Sequence, residues 1–295
     1  MRIWPIASAA ALAAGSALAQ APAAPPVAPP PAAAAPIATP QSPSAAAAPA
    51  PAPDADAGWR TLDPANTLEI DSTKGKIYVE LRPDIAPLAV ARVKALTRRG
   101  YYDNNQFYRV IDKFVSQTGD KGTKTYSSDL PNLKAEFTFA AKPADYVSVA
   151  GIPGGDIGFV GSLPVQLETA NNQVAKGWIN FCPGVAAMTH RDDPNTANSQ
   201  IFFLRGAAGL DKTFTAFGRV VIGEGAVQSM AVGEPPAHPD KMLKVRVLAD
   251  IPAATRPQIQ VIDPHGPTFA GFVQKAMASN PNFGLCTLDL PARVK

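Results

Sequence analysis

FYRVIDKFVSQTGD, residues Phe107–Asp120, is the stretch around which we expect the rest of this chain to be organised. Its aromatic and aliphatic residues predict a strand followed by a turn, and they enclose a single arginine, Arg109. A guanidinium stays protonated and carries several fixed N–H donors, so an arginine in an apolar run needs acceptors around it or a function. Taken alone, the stretch fits an edge strand with a surface ion pair better than it fits an active site, because charged side chains are mostly solvated.

Two later stretches change that interpretation. Gly184–Phe203 reads GVAAMTHRDDPNTANSQIFF, and Gly209–Val220 reads GLDKTFTAFGRV. With them, the sequence resembles the cyclophilin family of peptidyl-prolyl isomerases over roughly residues 68–251. The matching motifs, in the family's order, are KGKIYVEL (Lys74–Leu81), AP (Ala86–Pro87), GYYD (Gly100–Asp103), FYRVIDKFVSQTGD, GVAAM, NSQIFF and LDKTFTAFGRV. Several motifs in one order are a far more specific signal than any one of them.

The resemblance implies a mainly β fold, namely a closed antiparallel eight-stranded β-barrel with two capping α-helices. Local patterns agree with it. Residues 68–71 and 76–81 alternate as strands do, around a turn at 72–75. Asp84 and Pro87 begin a predicted helix that Gly100 stops, and its apolar face is expected to hold Leu88, Val93 and Leu96.

Two segments lie outside the family pattern. The first, an insertion at about 121–183, is predicted to form a long surface loop or hairpin. Its glycine-rich GIPGGDIGFVG, residues Gly151–Gly161, lacks the strand-to-helix context of a phosphate-binding loop. The second, residues 252–295, is expected to pack on the domain as a C-terminal extension with a strand at 258–262 and an amphipathic helix at 268–279.

The N-terminal end predicts export. Met1–Ala19 has a basic start, a short apolar stretch and an Ala-x-Ala end, which is typical of a signal peptide cut between Ala19 and Gln20. Residues 20–57 are almost only alanine and proline, so they predict a disordered linker that reaches on the order of 100 Å. A proline-rich docking peptide is the less favoured alternative for this linker. The isomerase domain would then cover 58–251.

The chemistry that the resemblance implies needs neither a nucleophile nor a proton shuttle. Rotation about an X-Pro bond meets a resonance barrier of roughly 18–20 kcal/mol, and a catalyst must stabilise the twisted amide. By resemblance, Arg109 is the catalytic arginine that donates to the amide nitrogen, and Gln117 positions the arginine and the substrate carbonyl. The substrate-binding residues implied in the same way are Phe114, Val115, Thr189, His190, Gln200, Phe202, Leu210 and Phe214.

Three positions depart from the family pattern. Thr189 stands where alanine is usual, Gly209 where tryptophan is common, and Phe214 where histidine or tyrosine is common. Without the tryptophan, the chain lacks an indole donor and a large apolar face at the rim of the pocket. We therefore expect weak binding of cyclosporin, whereas the isomerase activity should persist.

A cluster of polar residues suggests a competing site. His190, Asp192, Asp193 and Ser199 could be imagined as a hydrolytic triad or a metal site, but their crowding in one loop favours a solvated loop. No cofactor and no metal are expected. The lone His238 and His265 are predicted to lie in loops.

The chain has two cysteines, Cys182 and Cys286, both in the part predicted to be exported. In an oxidising compartment an even pair is expected to be joined by a disulfide. Two free buried thiols are the alternative. A zinc site is not indicated, because it would need about four ligands.

The chain has a formal net charge of +3. Its basic residues alternate with acidic ones, so a nucleic-acid partner is not indicated. No other apolar run predicts a membrane span. We expect a monomeric, periplasmic or secreted peptidyl-prolyl isomerase that acts on proline-containing segments of folding proteins. A non-catalytic peptide-binding or chaperone scaffold on the same barrel is the alternative, although a scaffold has no reason to keep a desolvated Arg109 beside Gln117 and Phe202.

Overall fold

Strands dominate the part of the chain that the computed structural model describes, residues 56–119, 128–140, 143–170 and 173–295. The strands are β1 (Trp59–Thr61), β2 (Thr67–Ser72), β3 (Gly75–Leu81), β4 (Asn105–Gln106), β5 (Arg109–Ile111), β6 (Val115–Thr118), β7 (Tyr146–Ile152), β8 (Gly155–Val160), β9 (Leu163–Ala170), β10 (Gln173–Ile179), β11 (Val185–Met188), β12 (Ile201–Leu204), β13 (Thr215–Ile222), β14 (Lys241–Val247), β15 (Ile259–Ile262) and β16 (Ala292–Val294). The α-helices are α1 (Pro87–Arg98), α2 (Glu224–Gln228) and α3 (Phe269–Ser279). The expected signal peptide and nearly all of the Ala/Pro-rich linker lie outside the described residues.

A curled antiparallel sheet forms the centre of the fold. Its strands follow the order β4-β14-β2-β3-β13-β11-β12-β6-β5. The two strands at opposite ends of this order, β4 and β5, are separated in sequence only by Phe107 and Tyr108. The sheet must therefore curl until both of its edges approach the same short segment. The predictions of a mainly β fold and of the β2–β3 hairpin are confirmed.

The helix predicted from Pro87 is confirmed as α1, but the predicted apolar face was partly wrong. Leu88 is 44% exposed, whereas Ala89, Val93 and Leu96 are fully buried. Residues spaced by four and three positions lie on one helix face, so the face through Ala89, Val93 and Leu96 is the one that meets the sheet at β13 and β14. Leu88 lies beside that face rather than on it.

Side chains of the central sheet alternate between two hydrophobic cores. In β12, Ile201 and Phe203 enter the core that the curled sheet shares with α1 and α2. Phe202 and Leu204 point the opposite way and join a second core on the outer face of the sheet. This alternation follows from the two-residue period of a strand. The outer face of β12 is also the face that carries the predicted substrate-binding residue Phe202.

The insertion and the C-terminal extension supply the other side of this outer core. The described part of the insertion forms a four-stranded sheet in the order β10-β9-β8-β7, in which the glycine-rich stretch makes the β7–β8 hairpin. In the extension, β15 pairs with β1 and β16. The ring of Phe269 in α3 packs edge-on against Phe159 of β8, with centroids 6.1 Å apart. The extension therefore packs directly on the insertion.

Two covalent or ionic links reinforce this packing. A disulfide joins Cys182 to Cys286, so it ties the end of the insertion to the extension. Arg82 donates from Nη2 to Oδ2 of Asp145 at 2.7 Å, and His265 Nε2 lies 3.1 Å from Oδ1 of the same carboxylate. Burial acts to raise the pKa of Asp145, but the hydrogen bond and charge of Arg82, together with His265, bring this pKa below its ordinary value of 3.8.

Candidate active site

Three adjacent strands place Arg109, Gln117 and Phe202 in one row. Arg109 of β5 is directly opposite Gln117 of β6, and Gln117 is directly opposite Phe202 of β12. Directly paired residues in antiparallel strands project from the same face of a sheet. The three residues that the sequence assigns to catalysis and to the pocket floor are therefore neighbours on the outer face.

Arg109 is held from two sides. Its Nη1 donates to Oε1 of Gln117 at 3.3 Å, and its Nε donates to Oε2 of Glu234 at 2.8 Å. Its Cζ lies 6.0 Å from the centroid of the Phe114 ring, at the outer limit of a cation–π contact. Among the described residues no group accepts a hydrogen bond from Nη2, and the side chain is 36% exposed. The protein therefore holds Nε and Nη1 of the guanidinium, while Nη2 can still donate to a ligand.

Gln117 is fixed by a second set of hydrogen bonds. Its Nε2 donates to Oη of Tyr108 at 2.6 Å and to Oε1 of Gln200 at 3.1 Å. The Tyr108 hydroxyl in turn donates to Oε1 of Gln200 at 2.6 Å, and Thr189 Oγ1 donates to the same oxygen at 3.3 Å. These contacts orient the amide so that its oxygen faces Arg109.

An apolar cavity of about 220 Å³ opens beside this row. We call it the proline pocket, because the resemblance noted in the sequence implies that a proline ring binds here. Its lining is apolar on one side and polar on the other, with Phe114, Val115, Phe202, Leu210 and Phe214 against Arg109, Gln117, Thr189 and His190. Of the residues that the sequence assigns to the site, only Gln200 lies outside the pocket lining. Gln200 lines a neighbouring polar cavity of about 280 Å³, which Gln117, Thr189 and His190 also border.

The side chain of His190 belongs to the pocket wall. Its ring lies on Phe214, with centroids 4.5 Å apart, and on Phe137 of the insertion, with centroids 5.6 Å apart. Its Nε2 lies 2.8 Å from the carbonyl oxygen of Thr213. Phe214 also meets Phe202 edge-on, at a centroid distance of 5.5 Å. The aromatic rings therefore form a continuous wall from the insertion to the pocket floor.

The polar loop does not form a hydrolytic triad. Ser199 Oγ lies 3.2 Å from the Tyr101 hydroxyl, and Asp193 accepts from the backbone N–H of Asn195. The ring of His190 contacts backbone carbonyls rather than either side chain. Within the described ranges, no group of three or more His, Cys, Asp or Glu side chains is placed to hold a metal ion.

Three residues of the site were missed from the sequence. Tyr108 lies inside FYRVIDKFVSQTGD, and its position next to Arg109 could have suggested that it supports the catalytic side chains. Glu234 lies 125 residues after Arg109 in a loop rich in proline and glycine, where no local pattern indicates a contact. Phe137 belongs to the insertion, which has no counterpart in the motifs.

The arrangement suits a ligand with a small apolar ring next to a polar backbone. The rings and aliphatic side chains can surround the ligand's ring, while Nη2 of Arg109 offers a donor at its edge. No described side chain is arranged as an activated nucleophile with a base, so covalent chemistry is not what the geometry supports. Stabilisation of charge or of a lone pair by Arg109 is what it supports.

Comparison with known proteins identifies a family and several relatives. Residues 67–247 match the family described as cyclophilin type peptidyl-prolyl cis-trans isomerase/CLD. A protein of Brucella suis named probable peptidyl-prolyl cis-trans isomerase is 31% identical over 206 residues, which covers 64% of this chain and 85% of that protein. A Gibberella zeae protein named peptidyl-prolyl cis-trans isomerase-like 1 is 27% identical over 188 residues, covering 61% of this chain and 94% of that protein.

A solved structure is similar over more of the chain. The cyclophilin AquaCyp293 from Hirschia baltica superimposes with a TM-score of 0.74 at 29% sequence identity, and the match covers 80% of this chain and 93% of that one. The structural match thus covers more of the chain than the family match, because residues 67–247 are 181 of 295 residues, or 61%. The similarity therefore extends beyond the central sheet.

Proposed function

The chain belongs to the cyclophilin-type family of peptidyl-prolyl cis-trans isomerases, and we propose that it accelerates the isomerisation of X-Pro bonds in exported proteins while they fold. The observation that carries the proposal is the row of Arg109, Gln117 and Phe202 beside the proline pocket. Phe202 lies at the floor where a proline ring would sit, and the guanidinium lies at the edge where the amide nitrogen would be.

Catalysis follows from differential binding of the twisted amide. A planar X-Pro amide delocalises the nitrogen lone pair, and twisting the bond localises that pair on the nitrogen. Arg109 can donate to the localised pair from Nη2, so it stabilises the twisted state more than either planar isomer. A thousandfold acceleration requires only about 4 kcal/mol, which a charge-assisted hydrogen bond in an apolar pocket can supply.

Gln117 acts in this mechanism through position. Its Oε1 accepts from Nη1 of Arg109, while its Nε2 is held by Tyr108 and Gln200. This fixes the guanidinium plane before the substrate arrives, so less conformational entropy is lost when the hydrogen bond to the twisted amide forms. We propose the same positioning role for the backbone at Thr189 and His190 toward the substrate peptide.

We also infer that the curled sheet closes into the eight-stranded barrel implied by the sequence. Thr118 Oγ1 donates to the carbonyl oxygen of Gln106 at 2.9 Å, which connects the β6 end of the sheet to β4 at the other end. The direct connection from β4 to β5 through two residues supports closure at this point.

Export rests on the N-terminal sequence, which lies outside the described residues. The signal-like Met1–Ala19 supports secretion, and the Cys182–Cys286 disulfide supports an oxidising compartment such as the periplasm or the exterior. No helix in the described ranges has the length and apolarity needed to cross a bilayer. We propose that the mature protein begins at Gln20, is monomeric and does not act on nucleic acid, and mass spectrometry of exported material tests the cleavage site.

A peptide-binding scaffold without catalysis is the second candidate, because an insertion residue, Phe137, packs at the pocket wall. A protease-coupled assay on a short Ala-Pro peptide separates the two functions. Isomerisation above the uncatalysed rate supports the enzyme. Binding of the same peptide with no acceleration would support the scaffold instead.

A further inference from the structure

A second cavity borders the proline pocket. Its volume is about 410 Å³, within the range of about 300–1,000 Å³ that is usual for small-ligand pockets. Gly209 and Asp211 line this second cavity, whereas Leu210 between them lines the proline pocket. A single short segment therefore borders both cavities. We call the second cavity the outer groove.

The outer groove is built mainly by the two segments that lie outside the family motifs. Ile157 of β8 and Gln166 of β9 come from the insertion, and Gly284, Leu285 and Cys286 come from the extension. Cys286 is tied by its disulfide to Cys182, which follows directly after the groove residue Phe181. The walls are thus held together in the absence of a ligand.

The floors of the two cavities are in contact. The ring of Phe181 in the outer groove lies 6.4 Å from the ring of Phe202 in the proline pocket, centroid to centroid. An extended peptide advances about 3.3 Å per residue, and every second side chain points the same way. A side chain two residues away from a bound proline is displaced by about 7 Å, which matches the separation of the two rings.

The rim between the cavities is open. A Cβ atom built on Gly209 would meet no heavy atom within 4 Å. A peptide backbone can therefore pass over this residue from one cavity to the other without a steric barrier.

The hydrogen bonds in the outer groove leave the side-chain amide of Gln166 able to donate to a ligand. Asp211 accepts from the backbone N–H of Phe181 at 2.8 Å and from Asn180 Nδ2 at 2.9 Å. Asn180 Nδ2 also donates to Oε1 of Gln166 at 3.3 Å. The other side-chain atom of this amide, Nε2, has no acceptor among the described residues. That amide can donate to a backbone carbonyl of a peptide in the groove.

We propose that the outer groove is a second substrate subsite, which binds an apolar side chain two residues from the proline on one arm of the peptide. This inference rests on the proposed isomerase function and specifies its substrates further. Substrates of this kind are unfolded segments in which a proline lies close to a hydrophobic residue. Ile157, Phe181 and Leu285 provide the apolar surface that such a side chain would cover.

The test compares the isomerisation of seven-residue peptides by exchange NMR, which needs no coupling protease. The parent peptide has a central proline and six alanines, and four variants carry leucine two or three residues before or after the proline. We expect leucine on one arm to raise kcat/KM about tenfold over the parent, because a fully buried leucine side chain contributes on this scale. Equal kcat/KM for all five peptides would overturn the subsite.

Two glycine variants localise the effect. A Cβ on Gly284 meets no heavy atom within 4 Å, and the same is true of Gly271 in α3, which does not line the groove. We expect Gly284→Trp to fill the groove and bring the ratio of leucine to alanine peptides to about one, while Gly271→Trp keeps the ratio. A ratio that survives Gly284→Trp would place the preference elsewhere and overturn the proposal.

Further controls keep the two proposals distinguishable. Ile157→Ser, in β8, should lower the same ratio if Gly284→Trp does not fold. Turnover of the alanine parent by the unmodified protein reports on the isomerase function alone. If the parent is not isomerised, the proposed function fails, whereas turnover of the parent without a leucine preference contradicts only the subsite.

Discussion

The Nε of Arg109 donates to Oε2 of Glu234 at 2.8 Å, although the two residues lie 125 positions apart. Backbone hydrogen bonds explain the contact. Val110 and Gly233 exchange N–H···O bonds of 2.8 and 2.9 Å, so the loop that carries Glu234 is fixed along β5. The carboxylate thereby holds the end of the guanidinium that does not face Gln117.

We predict that Glu234→Ala lowers kcat/KM about two- to fivefold. The pair is partly exposed, at 36% for Arg109 and 53% for Glu234, so the contact should be worth only about 0.5–1 kcal/mol. The loss should appear mainly in kcat, because the carboxylate orients a group that acts on the twisted state. Glu234→Gln should recover part of the loss, and Glu168→Ala, an exposed carboxylate on β9, is the control. Unchanged kcat in Glu234→Ala would refute the positioning role.

The ion pair between Asp145 and Arg82 predicts a pH-dependent contribution to stability. Because the pKa of Asp145 is lowered in the folded state, the ionised carboxylate stabilises the fold above its ordinary pKa of 3.8, and this contribution is lost as the pH falls from that value through the lowered folded-state pKa. Asp145→Asn should therefore lower the free energy of unfolding at pH 7 by about 1 kcal/mol or less, since the side chain is 44% exposed.

Urea denaturation of both proteins at pH 7 and pH 3 measures this difference. We expect the difference between the two proteins to be smaller at pH 3 than at pH 7. A constant difference at both pH values would show that packing, rather than charge, explains the effect of the substitution. Asp192→Asn, in an exposed loop, serves as the control.

The disulfide should stabilise the folded protein. It joins residues 104 positions apart, and removing a disulfide from a small domain typically costs about 2–4 kcal/mol. Replacing both Cys182 and Cys286 by alanine should lower the free energy of unfolding by that amount. Thiol labelling of the protein, denatured without reduction, should find no free thiol, and the detection of two would contradict the pairing.

Binding of cyclosporin should be weak because of Gly209. Its position at the rim offers neither an apolar face nor an N–H donor from a side chain, and loss of such a contact typically reduces affinity roughly a hundredfold. Since a side chain on Gly209 meets open space, Gly209→Trp should fold and restore part of the affinity. Nanomolar inhibition of the unmodified protein would contradict this assignment of the rim.

The sequence predicted elements whose signals are local. The turn between β2 and β3, the start of α1 at Pro87 and the strand with Arg109 all follow from short-range patterns of apolar, proline and glycine residues. The motifs also identified Phe202 and Leu210, which line the proline pocket.

What could not be predicted depends on contacts between distant parts of the chain. The contact of Glu234 with Arg109 requires the pairing of Val110 with Gly233. The insertion was expected as a loop or hairpin, but its described part is a four-stranded sheet that packs on the extension through Phe159 and Phe269. The error at Leu88 has another cause. Leu88 and Ala89 are adjacent and both apolar, but adjacent helix residues point about 100° apart, so the sequence does not show which of them lies on the buried face.

We propose that Arg109 stabilises the twisted amide rather than the fold or the bound peptide. The most direct test is kcat/KM on a short Ala-Pro peptide for the unmodified protein, Arg109→Ala and Arg109→Lys, with Arg99→Ala as an exposed control. We predict at least a tenfold loss for Arg109→Ala (about 1.4 kcal/mol or more), a smaller loss for Arg109→Lys, and unchanged thermal stability. Equal turnover by Arg109→Ala and the unmodified protein would show that the guanidinium does not stabilise the twisted amide.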